Sequence, residues 1–113
     1  MQIEERRTGD VTILALMGKL TLAEGRDLFK DKVGDVVQAG HNKLLIDLTE
    51  VPYVDSAGLG ELVRTYTAVN RSGGQLKLLG LAKRIKDVLA LTKLLTVFEI
   101  FETEEEALDS FSA

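Results

Sequence analysis

The chain has 113 residues, a length that predicts one domain spanning residues 1–113. Apolar residues make up 45% and charged residues 28%, values typical of a soluble globular protein with a real core. The net charge of -4 argues against a general binder of nucleic acid or anionic membrane. The lack of cysteine excludes disulfides, zinc–thiolate sites and cysteine nucleophiles, and the single histidine, His41, excludes multi-histidine metal sites.

The N-terminal segment Met1–Arg7 has no apolar stretch after its charges, so the sequence does not predict a signal peptide. No uninterrupted apolar run approaches the ~20 residues that a membrane-spanning helix needs. We therefore expect a cytoplasmic protein that does not enter a membrane.

The first third of the chain predicts a hairpin and a helix. Gln2–Arg7 and the apolar run Val11–Met17 are predicted strands joined by a tight turn. Thr21 followed by Glu24 matches a capping box, which predicts a helix that begins at Thr21, and Gly40 is expected to end it. The apolar positions at helical spacing in this segment are Phe29, Val33, Val36 and Val37.

The middle of the chain predicts a buried strand, a loop and a second helix. The strand is Leu44–Leu48, interrupted only by Asp47, and the loop is Val51–Asp55, where proline disfavours helix. The helix begins near Ser56 and ends at Ser72–Gly74. Its apolar positions are Leu59, Leu62, Val63, Tyr66 and Val69.

The last third predicts a strand at Leu76–Leu79, a short helix, a strand at Val97–Phe101 and a terminal helix. A capping box at Thr103–Glu106 opens the terminal helix. The side chains expected to face inward in these two helices are Ile85, Val88, Leu89, Leu108 and Phe111. The element order predicts an α/β fold: a small mixed, mostly parallel β-sheet packed with about four helices and containing one antiparallel pair.

The most informative stretch is Asp55–Leu62, because two local rules are broken there. Gly58 and Gly60 fall in the first turns of a helix, where each costs about 0.5–1 kcal/mol relative to alanine. Sequences usually break such rules at functional or strained sites. Glycine would allow another backbone or a bulky group to approach this end of the helix.

Ser56 has two interpretations. It can serve as a helix N-cap and do nothing else, which is the interpretation that the local pattern alone favours. It can also accept a phosphate, which a helix N-terminus tolerates well. The added charge of about -1.5 to -2 would lie beside Asp55 and near Asp47, making the surface acidic while the helix stays intact.

The run Asp55–Leu62, preceded by Leu44–Leu48, resembles the STAS domains of bacterial anti-sigma factor antagonists. The resemblance extends to Gly18–Thr21, to the pair Gly73–Gly74 and to Phe98–Ala107, and so covers essentially the whole chain. It implies a single STAS-like domain, and it favours the interpretation of Ser56 as a phosphate acceptor over that of a simple helix cap.

The resemblance also implies a partner switch. In that family the serine matching Ser56 is phosphorylated by an anti-sigma factor that is itself an ATP-dependent serine kinase. The unphosphorylated antagonist binds this kinase and displaces the sigma factor, and a metal-dependent serine phosphatase resets the phosphorylated form. Nucleotide and magnesium belong to the kinase, so this chain should need no cofactor of its own and should have no direct nucleic-acid partner.

We expect the docking surface to centre on Ser56 and to extend along the second helix through exposed side chains. Thr21 and Asp47 are expected nearby, at the ends of neighbouring elements. The predicted partner-binding residues are Thr21, Asp47, Asp55, Ser56, Ala57, Gly58, Leu59, Gly60, Glu61 and Arg64, with Thr65 as a further exposed position. The chain departs from the family at Thr21, where many relatives carry an acid, and at Ala57, where many carry a second hydroxyl residue.

Two alternatives remain open. A STAS module could serve as a scaffold subunit or as an accessory subunit of lipid transport, without sigma-factor control. A small serine esterase would need a base near Ser56, but His41 is expected at the opposite end of the sheet and Val54 replaces the first glycine of the nucleophile elbow. Asp47 and Asp55 as a metal pair, and Lys83–Lys86 as a nucleic-acid or lipid site, are less favoured than local backbone bonding and a solvated helix face.

Overall fold

The apolar runs of the sequence become the central strands of a five-stranded sheet in the computed structural model, which describes residues 1–112. The longest helix has 16 residues, and among residues 1–112 no helix is both long and apolar enough to cross a bilayer. The elements are β1 (Gln2–Thr8), β2 (Val11–Met17), α1 (Arg26–Gln38), β3 (Lys43–Glu50), α2 (Ser56–Arg71), β4 (Gln75–Leu79), α3 (Lys83–Leu91), β5 (Ile100–Phe101) and α4 (Glu104–Phe111).

The strands lie in the order β1-β2-β3-β4-β5. β1 and β2 are antiparallel and connect through a two-residue turn in which Gly9 has φ 60°. Every other neighbouring pair is parallel, and a helix fills each of these crossovers, as right-handed connections require. The predicted small α/β domain with one antiparallel pair is confirmed.

The two faces of the sheet are covered by different helices. In β3, Leu44, Ile46 and Leu48 join the larger apolar cluster, which also contains buried residues of α1, α2 and α3. Leu45, between them, joins the smaller cluster with Phe111 of α4. The period of two along a strand thus places α1, α2 and α3 on one face and α4 on the other.

The predicted start of the first helix is wrong. Thr21 forms a local turn instead: its Oγ1 accepts a hydrogen bond from the backbone N–H of Glu24 at 3.1 Å. α1 begins at Arg26 after Gly25, whose φ of 92° suits glycine. A Cβ on Gly25 would lie 2.5 Å from the backbone oxygen of Lys19, so the chain doubles back before the helix can start.

The end of the chain follows its prediction in part. The last strand is only Ile100–Phe101, because residues 94–97 turn and leave the sheet. Phe98 is nevertheless buried, with its ring 5.1 Å from that of Tyr66 in an edge-to-face contact. The second capping box is confirmed, since Thr103 Oγ1 accepts from the backbone N–H of Glu106 at 3.2 Å.

Thr12 supplies a test of the core. It is fully buried on the face of β2 that α1 covers, and among residues 1–112 its hydroxyl is the buried side-chain polar atom without a hydrogen-bond partner. Replacing Thr12 with valine keeps the shape and removes the orphan hydroxyl, so we expect unfolding to cost about 1 kcal/mol more. Urea denaturation measures this change.

Thr65→Val is the matched control for the Thr12 experiment. The Thr65 hydroxyl is also buried but donates to Glu61 Oε2 at 3.2 Å, so the same substitution should destabilise the fold. Equal destabilisation by the two valines would contradict the assignment of Thr12 as unsatisfied.

Candidate functional site

The turn after β2 and the start of α2 meet in a tight backbone contact, which we call the loop–helix junction (residues 20–22 and 53–58). The N–H of Leu20 donates to the backbone oxygen of Tyr53 at 3.0 Å, and the N–H of Asp55 donates back to the Leu20 oxygen at 3.3 Å. Leu20 itself is fully buried, so its side chain anchors this turn in the core. The first turn of α2 is therefore held by a segment that lies more than 30 positions earlier in the chain.

Asp55 is the carboxylate at the centre of the junction. Its Oδ1 accepts from the N–H of Gly58 at 2.8 Å, and its Oδ2 accepts from the N–H of Leu22 at 3.0 Å. These two backbone donors, Gly58 first, hold the pKa of Asp55 below its ordinary value. One side chain thus caps α2 and fastens the preceding loop to it.

The expectation that Ser56 caps the helix is wrong, because Asp55 has that role. Ser56 is the first residue of α2, and it is exposed. A hydroxyl that no longer serves as the cap can be modified without removing the hydrogen bond that begins the helix. Ala57, the next residue, is half-buried.

The two glycines of the motif have different roles. A Cβ on Gly58 would lie 2.0 Å from the backbone oxygen of Leu20, so the junction can form only with glycine at this position. The expected close approach of another backbone is confirmed there. A Cβ on Gly60 would meet nothing within 4 Å, so no packing constraint explains that glycine.

Glu61 was expected to be exposed, and the structure buries it. Its residual exposure is 2%, with Oε1 accepting from Arg64 Nη1 at 2.9 Å and Oε2 accepting from the Thr65 hydroxyl. Thr65 is buried as well, so its expected exposure is also wrong. Arg64 keeps a 64% exposed side chain and is the residue of the three that can reach a partner.

Asp47 and Thr21 lie in different surroundings. Thr21 is nearly buried within the turn that leads into the junction, which places it close to Asp55. Asp47 lies two residues after Leu45 on β3, so both side chains are on the same face of the sheet. That face is the one covered by α4, opposite the face that α2 covers. Its Oδ1 accepts from the N–H and the hydroxyl of Thr49, at 3.0 Å and 2.6 Å. The structure thus does not place Asp47 beside Ser56.

Two exposed apolar side chains of the junction were not predicted. Leu22 is 63% exposed and Tyr53 is 44% exposed. The sequence pattern placed Leu22 in the first helix and Tyr53 in a loop without hydrophobic periodicity, so it did not predict an exposed apolar surface from either residue. Leu59, in contrast, is partly buried and packs against the larger apolar cluster. The junction therefore combines two exposed apolar side chains with the carboxylate of Asp55.

The geometry argues against Ser56 as a hydrolase nucleophile. His41 precedes β3 and Ser56 follows it, so the two residues lie at opposite ends of that strand. Eight residues at about 3.3 Å each separate them by roughly 26 Å. Within residues 1–112, no group of three or more histidine, aspartate or glutamate side chains is arranged to hold a metal ion.

Comparison with known proteins assigns a family. The model of the STAS domain family matches residues 2–107. A candidate anti-sigma factor antagonist of Thermotoga neapolitana is 36% identical over 101 residues, covering 88% of each chain. The anti-sigma-B factor antagonist of Listeria monocytogenes is 30% identical over 112 residues, covering 94% of this chain and 91% of its own.

A solved structure shows the same architecture. The crystal structure of a candidate anti-sigma factor antagonist from Thermotoga maritima superposes with a TM-score of 0.91 at 29% identity. The likeness covers 98% of this chain and 95% of the other, so the two chains share one fold.

The contact between Gly58 and Leu20 gives a prediction. Gly58→Ala should destabilise the fold by about 1–3 kcal/mol or more, because the new methyl group overlaps a backbone oxygen that cannot turn aside. Gly60→Ala is the matched control and should stabilise by about 0.5–1 kcal/mol, as an open helical position allows. Thermal and urea denaturation measure both changes, and a harmless alanine at position 58 would contradict the close approach.

The lowered pKa of Asp55 predicts a pH dependence of the junction. The ionised form is favoured by folding, so its contribution is complete above the unfolded pKa of about 3.9 and is lost as pH falls through the lower folded pKa. Amide resonances of Leu22 and Gly58 should shift together in that acidic range. In Asp55→Asn, which keeps a cap but cannot ionise, this joint titration should vanish; its persistence would assign the effect to another group.

Proposed function

We propose that this chain, which belongs to the STAS domain family, acts as an anti-sigma factor antagonist whose docking is switched off by phosphorylation of Ser56. Relatives at 30% and 36% identity over most of the chain carry the name of that function. The observation that carries the proposal is the placement of Ser56, exposed in the first turn of α2 and relieved of the capping role by Asp55.

The proposed reaction is a phosphoryl transfer carried out by the partner. An anti-sigma factor serine kinase binds ATP and magnesium, and the Ser56 oxygen attacks the γ-phosphorus. The bond between the γ-phosphorus and the bridging oxygen breaks, ADP leaves with that electron pair, and the serine proton passes to a base of the kinase or to solvent. A metal-dependent serine phosphatase then hydrolyses the phosphoserine with water, which returns the free hydroxyl and releases inorganic phosphate. This chain is the substrate in both steps and holds neither metal nor nucleotide.

The added charge explains how docking would end. Phosphorylation brings about -1.5 to -2 charges to a point beside Asp55, which is already ionised at neutral pH. Burying such a group against a partner costs several kcal/mol unless new cations pair with it. The exposed apolar side chains of Leu22 and Tyr53 could no longer be covered without desolvating that charge.

The fold itself should tolerate the phosphate. The positive end of the α2 dipole favours an anion at its N-terminus. Asp55 keeps its hydrogen bonds to Gly58 and Leu22, because neither bond involves the Ser56 hydroxyl. The switch thus changes the surface and leaves the scaffold in place.

The exposed face of α2 defines how far docking extends. Ser56, Gly60 and Arg64 are exposed and recur every four residues, so they form one continuous stripe. Glu61 lies beneath this stripe and contributes by holding the Arg64 guanidinium in place. We accordingly assign Arg64 to the contact and Glu61 to its support.

Substitutions of Ser56 test the proposal. Ser56→Ala should bind the purified kinase with unchanged affinity and take up no phosphate from ATP, as intact mass measures. Ser56→Asp should melt near the wild type but bind the kinase at least tenfold more weakly in calorimetry, since a fixed carboxylate adds charge to the docking surface.

Ser72→Ala is the matched control, because Ser72 is exposed at the other end of α2. It should accept one phosphate like the wild type. A mass gain in Ser56→Ala would move the acceptor elsewhere. Unchanged kinase affinity of both the phosphorylated wild type and Ser56→Asp would refute charge as the switch.

A further inference from the structure

β1 forms an edge of the sheet that is open to a further strand. Within residues 1–112 it pairs only with β2, and Glu4–Thr8 are exposed. The strand has seven residues, whereas the opposite edge strand, β5, has two. A long edge with unpaired backbone groups is a template for another strand.

The register shows which backbone groups of β1 point outward. Gly18, just after β2, donates its N–H to the backbone oxygen of Glu50 in β3. The even-numbered residues of β2 therefore direct their backbone N–H and C=O groups towards β3. Odd positions of β2 therefore face β1, and their partners are the even residues of β1, such as Arg6 opposite Ile13. The odd residues Ile3, Glu5 and Arg7 thus direct their N–H and C=O groups away from the sheet.

We propose that two copies of this chain pair through their β1 edges, antiparallel, to join the five-stranded sheets into one of ten strands. A two-fold axis perpendicular to the sheet keeps equivalent helices of the two copies on the same face. It also sets odd-numbered residues of β1 opposite odd-numbered residues of the second copy, and even-numbered opposite even-numbered. Centring the axis on Glu5 places Ile3 opposite Arg7 of the second copy and forms about six backbone hydrogen bonds.

The side chains of β1 are complementary in this register. Glu4 lies opposite Arg6 of the second copy, and the symmetry repeats this pair. Arg6 also donates to Glu104 of its own chain, so its guanidinium would bridge two carboxylates. Both residues are at non-hydrogen-bonded positions, where opposing side chains approach most closely, about 4.5 Å between Cα atoms.

The two Glu5 side chains meet at the two-fold axis, and each is paired with basic side chains of its own copy. Glu5 accepts from Lys32 Nζ of α1 at 2.6 Å and from Arg7 at 3.4 Å. The hydrogen bond from Lys32 holds the pKa of Glu5 below its ordinary value, so the carboxylate is already well paired. The centre of the interface is thus neutralised from within each copy.

This inference goes beyond the proposed switch and does not depend on it. α2 packs against α1 and β4, on the sheet face that α1 also covers, and we expect β1 pairing to leave both Ser56 residues exposed. The assembly would present two docking surfaces in a fixed relation, and a dimeric partner could engage both at once.

Sedimentation velocity between about 5 μM and 1 mM tests the pairing, because an interface of one strand pair is expected to be weak. The wild type should change from monomer to dimer. Glu4→Arg should weaken association at least tenfold, because it sets like charges opposite each other. The triple variant Glu4→Arg, Arg6→Glu and Glu104→Arg should restore it, because it exchanges the two signs across the interface and keeps an ion pair between positions 6 and 104.

Asp87→Arg is the matched control: it makes the same charge change on an exposed position of α3 and should dimerise like the wild type. Amide hydrogen exchange adds a second readout. Ile3, Glu5 and Arg7 should gain protection only at high concentration, whereas Glu4 and Arg6 should be protected throughout. A monomer at 1 mM, or a dimer that Glu4→Arg leaves intact, would overturn the proposal.

Discussion

One carboxylate joins the two segments on which the site depends. Asp55 bonds to the N–H of Gly58 in the first turn of α2 and to the N–H of Leu22 in the loop after β2. The bond to Gly58 is a local helix cap, whereas the bond to Leu22 joins two segments that lie 33 residues apart in the chain. The geometry around Ser56 is therefore set by contacts between distant parts of the chain.

The glycine at position 58 is the steric counterpart of that bond. The backbone oxygen of Leu20 occupies the space where a Cβ would stand, so helix and loop touch backbone to backbone. A contact of this kind has no rotamers to adjust, which makes the junction rigid. Ser56 is consequently presented on a fixed platform, and a charge added to it acts on a partner's surface.

The sequence predicted most of the fold because its patterns are local. Short apolar runs and helical spacing indicated the five strands and four helices, although the last strand is shorter than predicted. The glycines of the motif at Asp55–Leu62 indicated the close approach that the structure shows at Gly58. The start of α1 was missed, because Thr21 and Glu24 bond to each other in a turn as readily as in a capping box. In the folded chain, the close approach of Gly25 to the backbone oxygen of Lys19, six residues earlier, accompanies the turn.

The site was predicted less completely, because burial is a tertiary property. Glu61 stands at a helical position that faces α1, and a carboxylate there becomes tolerable only through its bonds to Arg64 and Thr65. The sequence of β3 shows that Asp47 and Leu45 share one face of the sheet. It does not show that α4 covers that face. A local pattern states which residues share a face and leaves open what covers that face.

The loop–helix junction and the β1 edge are two separate surfaces of the molecule. The parallel part of the sheet ends at the loop–helix junction, where backbone donors and the α2 dipole meet. The antiparallel hairpin extends the sheet in the other direction and ends in β1, whose exposed side carries both signs of charge. A phosphate at Ser56 adds charge at the junction, whereas pairing through β1 depends on Glu4, Glu5 and Arg6. Because the two surfaces use different residues, substitutions can separate docking from self-association within a chain of 113 residues.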